Sequence, residues 1–146
     1  IEILIVTDEN ITELSAEMVK YSEKSGLKFF LRDAENLQHA EAVILIGTKS
    51  QTHGLNCGYC GFATCNEKQE QPDIPCSLNS VDVGIAIGSA CATAADMRVD
   101  SRVMFSAGRA AQDLDWLPGC SNIYAIPISC TSKNPFFDRK TTRSAH

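Results

Sequence analysis

A chain of 146 residues, 44% apolar and 21% charged, has the size and composition of one ordinary globular domain, which buries roughly 70% of its unfolded surface. Such a core forms without help from a metal or a disulfide. A formal net charge of −5 excludes a global positive field that would gather nucleic acid. No apolar run reaches the ~18 residues of a membrane span.

The elements follow in order. "IEILIVT" (1–7) reads as a buried strand, with capping oxygens at Thr7 and Asp8. Ile11, Leu14, Met18 and Tyr21 recur at helical spacing, a helix that ends before Gly26. "LKFFLR" (27–32) reads as a second strand, "DAENLQHA" as a short helix and "EAVILIG" (41–47) as a third strand. This alternation is the grammar of a layered α/β domain, with a mixed sheet and flanking helices.

Residues 48–79 break the pattern. They hold four of the seven cysteines and two prolines with little periodicity, as in a functional loop. A helix is expected from Ser80 to Asp96, capped by Asn79 or Ser80, and another from Asp100 to Trp116. "NIYAIPIS" (122–129) is a last strand that Pro127 pushes towards an edge or a bulge. The expected organisation is one domain over 1–146 with an inserted segment at 48–79. Ile1 already lies in a strand-like run, so an element ahead of it is expected to be missing from view.

Within the insertion, Cys57, Cys60, Cys65 and Cys76 are spaced C-x2-C-x4-C-x10-C. Structural zinc usually takes two tight cysteine pairs, and Cys65 and Cys76 are too far apart to form the second. Three close thiols plus a remote one is instead a pattern of iron–sulfur ligation. Gly58 and Gly61 let the backbone turn close to sulfur, and Tyr59 and Phe62 are expected to shield it. An odd number of cysteines and the lack of an opening signal peptide point to a reducing cytoplasm.

"CGYCGFATC" resembles the four-cysteine [4Fe–4S] domain of the corrinoid iron–sulfur protein large subunit and of Rnf-type electron-transport subunits. The ten-residue gap before Cys76 is shorter than in those proteins. Over nearly the whole chain, "LNCGYCGFATC", "VDVGIAIGSACATAADMRVDSRVMFSAGRAA", "IPIS" and "KNPFFDRK" resemble an uncharacterised prokaryotic family of ferredoxin-domain-containing proteins. Its element order is distantly similar to the flavin-binding nitroreductase fold, a likeness that implies a class that is strictly α+β. The resemblance implies a cluster but no substrate.

The expected function is one-electron transfer through a [4Fe–4S] cluster on these four cysteines, to a redox protein or a small-molecule acceptor. A flavin-dependent reductase, with the cluster feeding FMN at a dimer interface, is a second reading. A zinc site that staples the loop for protein contact is a third.

Gly84, Gly88 and Ala92 form a bare helical stripe. It fits packing on a helix of the same chain, a homodimer interface or a flat cofactor. Cys91, Cys120 and Cys130 read as buried small hydrophobes, and His53 as an ordinary loop histidine. His39 and His146 show no partner by spacing. Asp96, Arg98, Asp100 and Arg102 read as a surface ion-pair cluster. In the tail, Phe136 and Phe137 are expected to anchor the terminus, with an anion clamp of Lys133 and Arg139 as the alternative. The basic residues Lys133, Arg139, Lys140 and Arg143 read as a solvated extension.

Overall fold

In the computed structural model the described residues are 1–137; Arg139, Lys140, Arg143 and His146 of the expected tail features lie outside them. In chain order they form β1 (Glu2–Val6), α1 (Glu9–Ser25), α2 (Phe29–Leu37), β2 (Ala42–Lys49), α3 (Cys65–Gln69), α4 (Ser77–Asp96), β3 (Asp100–Ser101), α5 (Phe105–Asp113) and β4 (Cys120–Ser129). The class is α+β, with a sheet of order β1-β2-β4-β3 whose strand pairings are all antiparallel.

The antiparallel pairing of β1 with β2 follows from a correction to the sequence reading. Residues 27–32 are not a strand: Phe29 opens α2, and Phe30, Asp33, Ala34 and Leu37 are its buried residues, at the spacing of one helical face. Two helices therefore separate β1 from β2, and the three successive connections, an odd number, leave β2 running against β1. Tyr21 of α1 stacks on Phe30 at 4.6 Å between ring centroids, and Phe105 of α5 meets Phe30 edge-on at 5.9 Å. Burying that ring among three helices favours the helical state over an isolated strand.

Strand alternation divides the sheet into two faces. Val43, Leu45, Ile123 and Ala125 join Leu14, Met18, Phe30 and Leu37 in a core beneath α1, α2 and α5. Asp33 is buried in the same layer, where Ser106 Oγ donates to its Oδ2 at 2.8 Å and Arg32 and Arg102 meet its Oδ1. Arg102 also donates to the Phe136 carbonyl at 3.3 Å. It serves these inward contacts rather than the expected surface cluster. Phe136 is buried, whereas Phe137 is exposed beneath the Arg102 guanidinium.

The expected helix from Asp100 is split. Asp100 and Ser101 pair with Ser129 and Ile128, and α5 begins only at Phe105. Met104 and Ala125 exchange backbone bonds at 2.8 and 3.1 Å, so odd positions of β4 face this side. Pro127 has no N–H to continue the ladder there, and Arg102 and Val103 fall outside it.

α4 lies on the opposite face, against β2 and β4. Asn122 donates to Ser80 Oγ at 3.0 Å, and Asn79 donates to the carbonyls of Lys49 and Gln51. The helix starts three residues earlier than expected, with Cys76 rather than Asn79 or Ser80 at its N-cap position. At 20 residues and mean hydropathy 1.3 it is long and apolar enough to cross a bilayer, against the expectation that no apolar run reaches that length. Its inward side is docked on the sheet, which makes it part of the fold.

Candidate metal centre

The segment that precedes α3 is held in shape by tight turns and side-chain caps. Gly58 and Gly61 have φ of 74° and 87°, and Gly61 N–H donates to the Gly58 carbonyl at 3.0 Å. These left-handed positions favour glycine, and they fold the chain between Cys57 and Cys65 back on itself. Asn56, left-handed at φ 49°, accepts the Cys65 N–H on its Oδ1 at 2.8 Å, and its own N–H donates to Cys65 Sγ at 3.4 Å. Thr64 caps α3 by accepting the Glu67 N–H at 3.2 Å, and Glu67 Oε2 accepts the Ala63 N–H at 3.2 Å, a close variant of a capping box.

The fourth cysteine comes from another element. Cys76 is buried at the head of α4, and Ser77 Oγ donates to the Tyr59 carbonyl at 2.9 Å, which ties that helix to the turn. Gln69 Nε2 donates to Thr52 Oγ1 at 3.0 Å and fastens α3 to the start of the loop.

All four candidate ligands, Cys57, Cys60, Cys65 and Cys76, line one cavity that is partly open to solvent, with about 300 Å³ of empty space when its open mouth is counted. Cys57 is exposed, Cys60 and Cys65 are half-buried and Cys76 is buried. Among the described residues no group of three His, Cys, Asp or Glu side chains is close enough to hold one metal ion. A lone zinc with ~2.3 Å bonds to sulfur draws its thiolates nearly into contact. A cubane holds them farther apart, one at each iron corner. Four thiols spread around a single cavity fit the second demand, and the Asn56 N–H on Cys65 Sγ is the kind of hydrogen bond that tunes such a centre.

Phe62 lines the cavity as expected, but Tyr59 is 76% exposed and does not. His53 lines it too, with its Nε2 3.7 Å from Asp82 Oδ2 at the start of α4. Asn56 went unread in the sequence, although an asparagine just before a cysteine turn suits a left-handed position.

The remaining thiols stand elsewhere. Cys120 is buried and Cys91 half-buried, and burial pushes both thiols up from the ordinary range. Cys130 is exposed, against the expectation of burial, because β4 ends at Ser129 and leaves it at the surface. Among the described residues Gly84 and Gly88 face open space: a Cβ at either would meet none of them within 4 Å. Packing among the described residues therefore does not account for the bare stripe.

Comparison with known proteins gives two findings. A family model described as an uncharacterised protein containing a ferredoxin domain matches residues 73–139, a stretch that holds Cys76 but not the other three candidate ligands. An uncharacterised protein of Archaeoglobus fulgidus is 37% identical over 147 aligned positions, covering 95% of this chain and 79% of its own length. No solved structure matches the chain.

Proposed function

Since this chain belongs to a family of uncharacterised proteins containing a ferredoxin domain, we propose that it is a one-electron carrier holding a single [4Fe–4S] cluster on Cys57, Cys60, Cys65 and Cys76. The observation that carries this reading is the one cavity bordered by all four thiols. When bound, such a cluster supplies reversible uptake of one electron at a potential set by its surroundings.

The chain's own residues do the rest. The Gly58–Gly61 turn and the caps on α3 position Cys57, Cys60 and Cys65, and α4 brings Cys76 from behind. Phe62 and Leu78 give the cavity an apolar wall that limits water. Leu55 and Tyr59 are exposed beside exposed Cys57, so this is the edge at which a redox protein or small acceptor meets the site.

Anaerobic reconstitution with iron and sulfide tests the reading. The loaded chain is expected to be brown and to bleach with dithionite. Cys57→Ser, Cys60→Ser, Cys65→Ser and Cys76→Ser are each expected to lose most of that absorption, while Cys130→Ser keeps it. Full retention of colour and iron in Cys76→Ser contradicts the assignment. A colourless chain with one zinc returns the site to a structural staple, and an extractable yellow chromophore points to the flavin reductase.

A further inference from the structure

Lys68 is the only α3 residue that is fully buried; it is 0% exposed and its Nζ has no hydrogen-bond partner among the described residues. A buried ammonium is strongly unfavourable unless an opposite charge compensates it. The local carboxylates do not. Glu67 Oε2 is engaged by the Ala63 N–H, and Glu70 and Asp73 are exposed.

Lys68 follows Cys65 by three residues, so the two share one face of α3. Cys65 borders the cavity, while Asn66, Glu67 and Gln69 are exposed. The inward side of this helix thus carries one thiol and one ammonium.

We propose that Lys68 is the built-in counter-ion of the cysteine-bound cluster. Four thiolates bring negative charge to one site, and an added electron brings more. A fixed cation one helical turn from Cys65 offsets that charge and favours the electron-loaded state, because net charge is among the determinants of cluster potential. In this role Lys68 is a positioning residue for charge and not a ligand.

The test uses the anaerobically loaded full chain. Lys68→Met keeps most of the side-chain volume and removes the charge. It is expected to lower the equilibrium constant for one-electron uptake about tenfold, a fall of about 59 mV in the midpoint of an EPR-monitored titration. Lys68→Arg is expected to return the midpoint towards wild type. In the unloaded chain, Lys68→Met is expected to raise the melting temperature, since it removes an uncompensated charge.

An unchanged midpoint in Lys68→Met, or a lower melting temperature in the unloaded variant, overturns the proposal. If Lys68→Met folds but takes up no iron, normal loading of Lys68→Arg supports a charge role and failure of both variants refutes it. The inference rests on the iron–sulfur reading. A wild-type chain that binds no iron and sulfide refutes both, whereas a loaded one with an indifferent Lys68 refutes the counter-ion alone.

Discussion

At the scale of single residues, the thiols differ by their surroundings. Burial holds the Cys120 thiol above its ordinary range, with the nearby Glu2 carboxylate adding to the effect, so little thiolate forms near neutral pH. Iodoacetamide should label exposed Cys130 well ahead of Cys120, whose labelling should rise only in more alkaline solution. The unfolded chain ionises Cys120 first, at the ordinary thiol value. Its contribution to stability is therefore complete below that value and is lost as pH rises towards the folded one. Melting temperature against pH should decline less steeply on the alkaline side in Cys120→Val than in wild type. Equal slopes would contradict this account.

The four candidate ligands were legible as residues because spacing along the chain is itself the signal. Asn56 and Lys68 were not. Their roles depend on a left-handed turn and on which side of a five-residue helix faces inward, and neither is written in periodicity.

Elements show where periodicity misleads. "LKFFLR" is short, and its adjacent phenylalanines satisfy a strand as readily as a helix. Only when it is read continuously with the residues after it do Phe30, Ala34 and Leu37 emerge as one helical stripe. The split before α5 had a clearer cause, since Pro127 on the neighbouring strand decides where β3 pairing stops. Long periodic stretches such as α1 were legible, because their apolar spacing exceeds what a strand can accommodate.

Two glycines make opposite predictions at this scale. A Cβ at Gly108 would overlap the Ile123 backbone, because α5 lies directly on β4. Gly108→Ala gains about 1 kcal/mol of helix propensity but forces the helix off the strand, so it is expected to cost a net ~1–3 kcal/mol by urea unfolding. Gly88→Ala has open space around it and is expected to stabilise the monomeric chain by up to ~1 kcal/mol. A neutral Gly108→Ala would contradict the close docking of α5.

For the molecule as a whole, the two faces of the sheet are unequal. Three helices bury one, while α4 alone lies on the other. Ile3 and Ile5 on β1 and Val81 and Ile85 on α4 are all more than half exposed, on this same side. Ile1 and Met97 are more than half exposed as well.

The outward line of Val81, Gly84, Ile85, Gly88 and Ala92 carries no charge, and a bare stripe is complementary to itself in a twofold contact. A second copy of this chain is therefore the expected occupant. Sedimentation should give a dimer, and Gly88→Leu should shift it to monomer without unfolding it. A wild-type monomer at every concentration excludes the second copy. Association of that monomer with lipid vesicles instead would assign α4 to a membrane surface.

The central claim, that four sulfurs on one cavity hold a cubane, is tested most directly by counting iron and acid-labile sulfide in the anaerobically loaded chain. Close to four of each per chain is the predicted result. A single metal ion without sulfide, or iron that stays in full after Cys76 is replaced by serine, would contradict it.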